Sequence, residues 1–235
     1  MGDILLIRHA QASFGSANYD CLSELGLEQS RLLGRWLARR GRTIDRVAMG
    51  HMQRHRQTAE AALAELPTEL RGTEAPIVDA GFDEFDGDHV LTRYRPELAE
   101  RSALAQHLAQ SSHPYRAFQE LFEGAVERWV AGQHDGEYRE SWNAFRARCV
   151  LGLERLVQGA GPSRTLAVFT SGGPITAICQ HLLELPDRRA FDLNWPMANS
   201  AVTALRYRPD RISLNYLNNF SHLERAGQPP IVTYR

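Results

Sequence analysis

Ile4-Leu5-Leu6-Ile7-Arg8-His9-Ala10-Gln11 is the stretch on which the reading of the fold turns. Four apolar residues in unbroken succession are the pattern of a strand buried on both faces, as in a parallel sheet with helices on each side. The run stops at Arg8-His9, so these polar residues fall at the carboxyl end of the strand, where α/β sheets place their ligands. Leu22 to Arg40 then reads as a helix. Ser23 suits its N-cap, Leu25, Leu32, Leu33, Trp36 and Leu37 form its apolar stripe, and Gly41 closes it.

Outward from this unit the alternation repeats. Ile44 to Met49 predicts a second strand, Met52 to Leu66 a helix stopped by Pro67, and Ile77 to Phe82 a third strand. Leu166-Ala167-Val168-Phe169 predicts a fourth, running through Thr170-Ser171-Gly172-Gly173-Pro174 into a helix that ends near Leu183. Pro174 suits the first turn of that helix. Ala201 to Tyr207 and Ile212 to Leu217 predict a closing hairpin, turned at Pro209-Asp210. Between Asp88 and Gln158 amphipathic helical patterns replace the strand signals, broken at Arg95-Pro96, at His113-Pro114 and in the polar loop Gly132 to Glu140. The expected fold class is α/β: a three-layer α/β/α sandwich with a mostly parallel central sheet and a helical cap insertion over residues 88–158.

With 235 residues, 43% of them hydrophobic, the chain can bury a full core. A formal net charge of -1 offers no surface for a polyanion, so neither nucleic acid nor an anionic membrane is an expected partner. Cys21, Cys149 and Cys179 have neither disulfide nor metal spacing, and no signal-peptide or membrane-spanning pattern is visible. The expected location is the cytoplasm.

Four elements carry chemistry. A neutral imidazole at His9 is a competent nucleophile at phosphorus if nearby charge neutralises the phosphate, and Arg8 offers a planar fork matched to phosphate oxygens. Arg54, at the start of the second helix, can point back toward His9. Glu84, after the third strand, is a carboxyl group suited to protonate a leaving alkoxide. Small residues at Ser171 and Gly172, where a strand meets a helix N-terminus, let backbone N–H groups approach an anion. Each feature alone also fits an ordinary role: a polar strand end, a solvated helix arginine, a turn acid, a common glycine turn. His51 and His55 stand one helical turn apart, a zinc-compatible spacing, but no glutamate follows His51 and arginines flank His55. A serine-hydrolase elbow at Ser171 would want glycine where Phe169 stands.

Taken in order, these segments resemble the histidine phosphatase superfamily, which includes the cofactor-dependent phosphoglycerate mutases. Leu6-Ile7-Arg8-His9-Ala10 resembles the nucleophile motif, usually Arg-His-Gly, and Leu22 to Gln29 resembles the segment that follows it. Arg54-His55-Arg56-Gln57-Thr58-Ala59 resembles the second-arginine motif, Phe82-Asp83-Glu84 the proton-donor motif, and Val168 to Ile175 the segment of the second histidine. Asn199 and Asn218 to Leu223 are also similar to family segments. The resemblance implies a single histidine phosphatase-like domain over 1–235. In it His9 becomes phosphohistidine, Arg8 and Arg54 clamp the phosphoryl group, Glu84 serves as acid and then base, and Ser171 and Gly172 line the phosphate site. It implies no cofactor and no metal, because the arginines do the electrostatic work.

One departure matters: the family's second histidine is Ser171 here, a neutral donor where a charged one is expected. His51, His89 and His181 are the candidates to supply the missing group from elsewhere. The leading expectation is a metal-independent phosphatase acting on a small phosphorylated substrate or a phosphoprotein. A phospho-ligand-binding protein with little turnover is the rival, and a phosphomutase ranks behind both. Phe14, Tyr19, Tyr94, Tyr115 and Trp129 are the aromatic residues weighed for the substrate pocket. A homodimer is compatible with the sequence.

Overall fold

A computed structural model describes residues 1–13, 20–208, 210–224 and 231–234. Phe14, Tyr19 and the Pro209 half of the expected turn therefore lie outside the described residues.

The chain divides into two compact units. The larger comprises Met1–Glu84, Arg148–Leu185 and Ala190–Arg235. In it β1 (Gly2–Arg8), β2 (Arg46–Met49), β3 (Ile77–Val78), β4 (Thr165–Thr170), β5 (Val202–Arg208) and β6 (Arg211–Asn219) form one sheet in the order β3-β2-β4-β1-β5-β6. β1, β2, β3 and β4 run parallel, and β5 is antiparallel to both β1 and β6. The expected mostly parallel sheet is thus present, its single reversed strand supplied by the closing hairpin.

The apolar run of β1 is buried on both faces: Ile4, Leu6 and Ile7 are fully enclosed. Leu5 and Ile7 share one cluster with Ala167 and Phe169 of β4, with Leu33 and Leu37 of α1 (Glu24–Arg39), and with Ala59 and Ala62 of α2 (Gln53–Ala64). Ile4, Leu6, Leu166 and Val168 alternate to the other face and are equally buried. α7 (Gly172–Leu183) continues from β4 and contacts β1 and β6. Ser23 caps α1 by accepting a hydrogen bond from the Gly26 N–H at 3.0 Å, and Gly41 ends it with φ +61°, a backbone conformation that favours glycine.

The third strand differs from expectation. The sequence predicts one strand from Ile77 to Phe82, but only Ile77–Val78 pairs, through Ala48 and Met49 at the sheet edge. The Asp79 carboxylate accepts from the Gly81 N–H and closes the chain into a 3-10 turn over Ala80–Phe82. An Asx turn has won over β-propensity here.

α2 has an unusual start. Its N-cap, Met52, offers no side-chain hydrogen bond. The missing acceptor comes from Asp20, whose Oδ2 takes the Gln53 N–H at 2.7 Å while Oδ1 takes Arg54 Nη1 at 2.9 Å. Asp20→Ala is expected to lower unfolding stability by about 1 kcal/mol, the usual cost of a lost cap. Asp20→Asn, which keeps a side-chain acceptor, should lose less. Urea unfolding of the two variants distinguishes them, and equal stability of Asp20→Ala and wild type would remove the capping role.

The smaller unit comprises Phe85–Ala147 with Pro186–Arg189. It contains α3 (Gly87–Tyr94), α4 (Arg101–Ala109), α5 (Pro114–Val130) and the first part of α6 (Trp142–Ala160). Its centre is aromatic: Phe85, Trp129, Trp142 and Phe145 are buried, with Phe85 and Trp129 centroids 4.8 Å apart. Asp187 accepts from Trp142 Nε1 and Arg146 Nη1, both at 2.9 Å, which ties the short 186–189 segment into this unit. The helical pattern in the sequence runs on to Gln158 because α6 continues unbroken past Ala147. Of the aromatic residues weighed for a pocket, Trp129 is core, while Tyr94 and Tyr115 are exposed.

Candidate active site

Strands β1, β2 and β4 are neighbours and parallel, so their carboxyl ends lie together. Arg8 pairs with Thr170 and Met49 with Phe169 in the ladders. His9 and Ser171 therefore leave the sheet side by side, and the chain leaving β2 reaches α2 within a few residues. This is the edge where an α/β sheet gathers ligand-binding groups. His9, Arg54, His55, Ser171 and Gly172 are all buried there, although four of them are polar or charged.

His9 is fixed by several bonds. Its backbone N–H donates to Thr170 O at 2.8 Å, and its own carbonyl accepts from Asn199 Nδ2 and from the Ser200 N–H, each at 3.2 Å. The ring Nδ1 stands 2.8 Å from the Ala10 carbonyl. A carbonyl can only accept, so the proton sits on Nδ1 and Nε2 keeps its lone pair. Burial, then the charges of Arg54 and Arg8, hold the imidazole pKa well below its ordinary 6.5. The ring is therefore neutral and nucleophilic across the neutral pH range.

Arg54 is 8% exposed and meets the Asp20 carboxylate at 2.9 Å. Thr58 Oγ1 accepts from the Ala10 N–H at 3.1 Å and donates to the Arg54 carbonyl at 2.7 Å, coupling the first turn of α2 to the loop after β1. Arg8 Nη1 donates to the backbone carbonyls of Met197 and Tyr234. Glu84 lies at the start of α7, its carboxylate accepting from the Gly173 N–H at 3.2 Å. Gly172 is closely approached: a Cβ there would fall 2.2 Å from Asn194 Oδ1, so the Asn194 side chain would have to shift. Every residue expected for the site is thus placed on the carboxyl-end loops of the sheet or the helix starts that follow them.

Among the described residues, none of the three candidates for the missing second histidine hydrogen-bonds Ser171. His51 is exposed and bonds Asp83 through Nδ1 at 2.9 Å. His89 accepts from the Arg139 N–H at 3.2 Å in the helical unit, and His181 is exposed in the last turn of α7. The histidine bonded to Ser171 is His55, fully buried, with Nε2 2.7 Å from Ser171 Oγ and its ring centroid 5.9 Å from that of His9. Burial, then the Arg54 charge, lowers its pKa to about 3. His51 and His55 thus face different partners. Helical spacing would bring them to one face, but α2 begins at Gln53, so His51 precedes the helix and only His55 lies in its buried first turn. Asp20 was missed as well, because a lone acid outside any motif carries no signal of its distant partner.

A cavity of about 290 Å3 lies at the other end of the sheet, beside Asp45, Arg46, Arg71, Glu74 and Arg164. Arg46 pairs there with Glu74 and Arg164 with Asp45, so two of its arginines are already neutralised. The chemistry-bearing residues sit at the carboxyl ends instead.

Residues 4–220 match the histidine phosphatase superfamily (branch 1), and the chain belongs to that family. Among curated proteins it resembles the mitochondrial serine/threonine-protein phosphatase Pgam5 of Caenorhabditis elegans, at 35% identity over 79 residues. That match covers 34% of this chain and 28% of the relative, so the chain spans well under a third of that protein's length. Among solved structures it is similar to the mycobacterial glucosyl-3-phosphoglycerate phosphatase, with a TM-score of 0.63 and 22% identity over 93% of this chain and 99% of that one. It is also similar to phosphoglycerate mutase from Bacillus anthracis str. Sterne, with a TM-score of 0.64 and 15% identity over 94% of each chain. Phosphoserine phosphatase from Entamoeba histolytica gives 0.63 and 14% identity, over 95% of this chain and 100% of that one. At these identities the solved structures establish the fold.

Proposed function

We propose that the protein is a metal-independent phosphatase that hydrolyses a phosphate monoester through a phosphohistidine on His9. The observation that carries this reading is the His9 imidazole: buried, held neutral, and locked through Nδ1 so that Nε2 presents its lone pair. Nε2 attacks phosphorus, the bond to the ester oxygen breaks, and Glu84 supplies the proton that the departing alkoxide needs. Water then attacks the phosphohistidine, with Glu84 taking its proton, and phosphate leaves. Arg8 and Arg54 carry the charge on the phosphoryl oxygens, aided by Ser171 and by the backbone at Gly172. Kinship with phosphatases and a mutase supports phosphoryl-transfer chemistry; the substrate is a small phosphate monoester or a phosphorylated side chain.

The test is the intermediate itself. A radiolabelled phosphoryl donor in the presence of EDTA should leave acid-labile, base-stable label on wild type and none on His9→Ala. Failure of wild type to take up label or to release phosphate would overturn the reading. A second reading is favoured by Ser171, a neutral residue where the family carries its second histidine: a phospho-ligand-binding protein that holds phosphate with little turnover. It predicts tight vanadate binding without label.

A further inference from the structure

His55 has no role in the scheme above, yet it is a fully buried imidazole whose ring centroid lies 5.9 Å from that of the expected nucleophile. We propose that His55 is a positioning residue that works through Ser171, the two side chains together replacing the single histidine donor absent from position 171. The proposal rests on the phosphatase reading of the site and adds a residue to it.

The geometry is specific. Ser171 is the N-cap residue of α7 but makes no side-chain cap bond, so its hydroxyl is not spent on the helix it begins. Instead Oγ lies 2.7 Å from His55 Nε2, with both side chains fully buried. A serine hydroxyl has one proton. If Nε2 accepts that proton, Ser171 turns only lone pairs toward an anion. If Nε2 carries a proton and donates it to Oγ, the serine proton is released to donate to a phosphoryl oxygen. The Gly50 backbone beside His55 Nδ1 favours a proton on that nitrogen, but the contact does not have ordinary hydrogen-bond geometry, so an anion at Ser171 can draw the proton to Nε2. A phosphoryl anion gains a donor only from the Nε2–H form, and its binding selects that form. Growth of charge on the phosphoryl oxygens then polarises both bonds of the chain in the same direction. His9, already bonded through Nδ1 to Ala10, is not a competing acceptor for the Ser171 proton at that nitrogen.

The same contact has a steric consequence. With His55 at 2.7 Å from Oγ, an imidazole built at position 171 would overlap the one at 55. Ser171→His alone is therefore a poor repair, whereas Ser171→His with His55→Ala gives the direct donor room.

The experiment is a double-mutant cycle read by vanadate binding and by kcat. Vanadate reports the pocket whether or not turnover is fast. His55→Ala and Ser171→Ala should each weaken vanadate binding and lower kcat by roughly a hundredfold to a thousandfold, the range for one preorganised donor, with little change in KM. The double alanine variant should be no worse than the poorer single, because the residues act as a unit. His55→Gln, whose amide N–H can still donate to Oγ, should retain more than His55→Ala. Ser171→His should fall below wild type, and His55→Ala/Ser171→His should rise above both singles. Circular dichroism confirms that each variant is folded, and His55→Gln keeps the test valid if the alanine variant is not. Wild-type vanadate affinity in both His55→Ala and His55→Gln overturns the relay, as do additive losses across the cycle. If His9→Ala still turns over normally, the phosphatase reading falls, and vanadate coupling between 55 and 171 still decides the relay separately. Wild type that binds no vanadate overturns both.

Discussion

His9→Ala removes phosphate release from p-nitrophenyl phosphate almost entirely, by about 10^4-fold to 10^6-fold, the loss seen when a covalent nucleophile is deleted. The size follows from what His9 alone provides. In the proposed scheme Nε2 forms the bond to phosphorus, and the other side chains act on charge or protons around that bond. Arg54→Ala should cost less, roughly 10^2-fold to 10^3-fold, because Arg8 and the backbone at the start of α7 still oppose the phosphoryl charge. Both assays belong in EDTA at neutral pH, where metal dependence would show as lost wild-type activity. The His9→Ala protein should remain folded, since it loses a desolvated imidazole whose burial carries a cost. Retention of a tenth of wild-type turnover by folded His9→Ala would exclude His9 as the nucleophile.

The parts of this site visible in the sequence are those set by local grammar. An unbroken apolar run marks β1, so the position of His9 at its carboxyl end follows from strand length alone. Ser171 and Gly172 are found the same way, from the apolar run of β4 and the proline in the first turn of α7. Arg54 is placed because a helix must begin soon after β2. The invisible parts depend on contacts across the chain. Asp20 is separated from Arg54 by a helix and a strand, and only tertiary packing makes it the cap of α2. His55 reads as one of two histidines at zinc-compatible spacing until the fold buries it and leaves His51 exposed. The short β3 misled for a local reason: Ile77 and Val78 have strand propensity, but the Asp79 side chain competes for the next turn. The end of the helical unit was obscured because α6 carries one periodicity through both units.

Acid is expected to destabilise this protein from about pH 6.5 downward, and its buried histidines are the reason. His55 is lowered to about 3 and His222 to about 4, both by burial first, and His9 lies well below 6.5 for the same cause. In the unfolded chain each would titrate near 6.5. Below that pH the unfolded state binds protons that the folded state refuses, so stability falls as pH drops. Each group stops contributing only when its folded pKa is reached. The window opens at about pH 6.5 and extends down to about 4 for His222 and about 3 for His55. Between pH 6.5 and 4.5 these two alone remove roughly 5 kcal/mol. That is comparable to the whole stability of an ordinary domain, roughly 5–15 kcal/mol. Asp79, lowered from 3.8 by its bonds to Arg155, adds its loss only at more acid pH. Thermal melts followed by circular dichroism should show Tm falling steeply from pH 6.5 to 4.5. His222→Gln, which loses its ring and its bond to Ser200, should start from a lower Tm but fall less steeply. A Tm independent of pH over that range would show that the histidines are not buried neutral. The consequence reaches the proposed chemistry, because the burial that keeps the His9 imidazole neutral is the same burial that acid undoes. Loss of phosphatase activity on the acid side should therefore track unfolding, and the pH of half-activity should move with His222→Gln although His222 takes no part in the reaction.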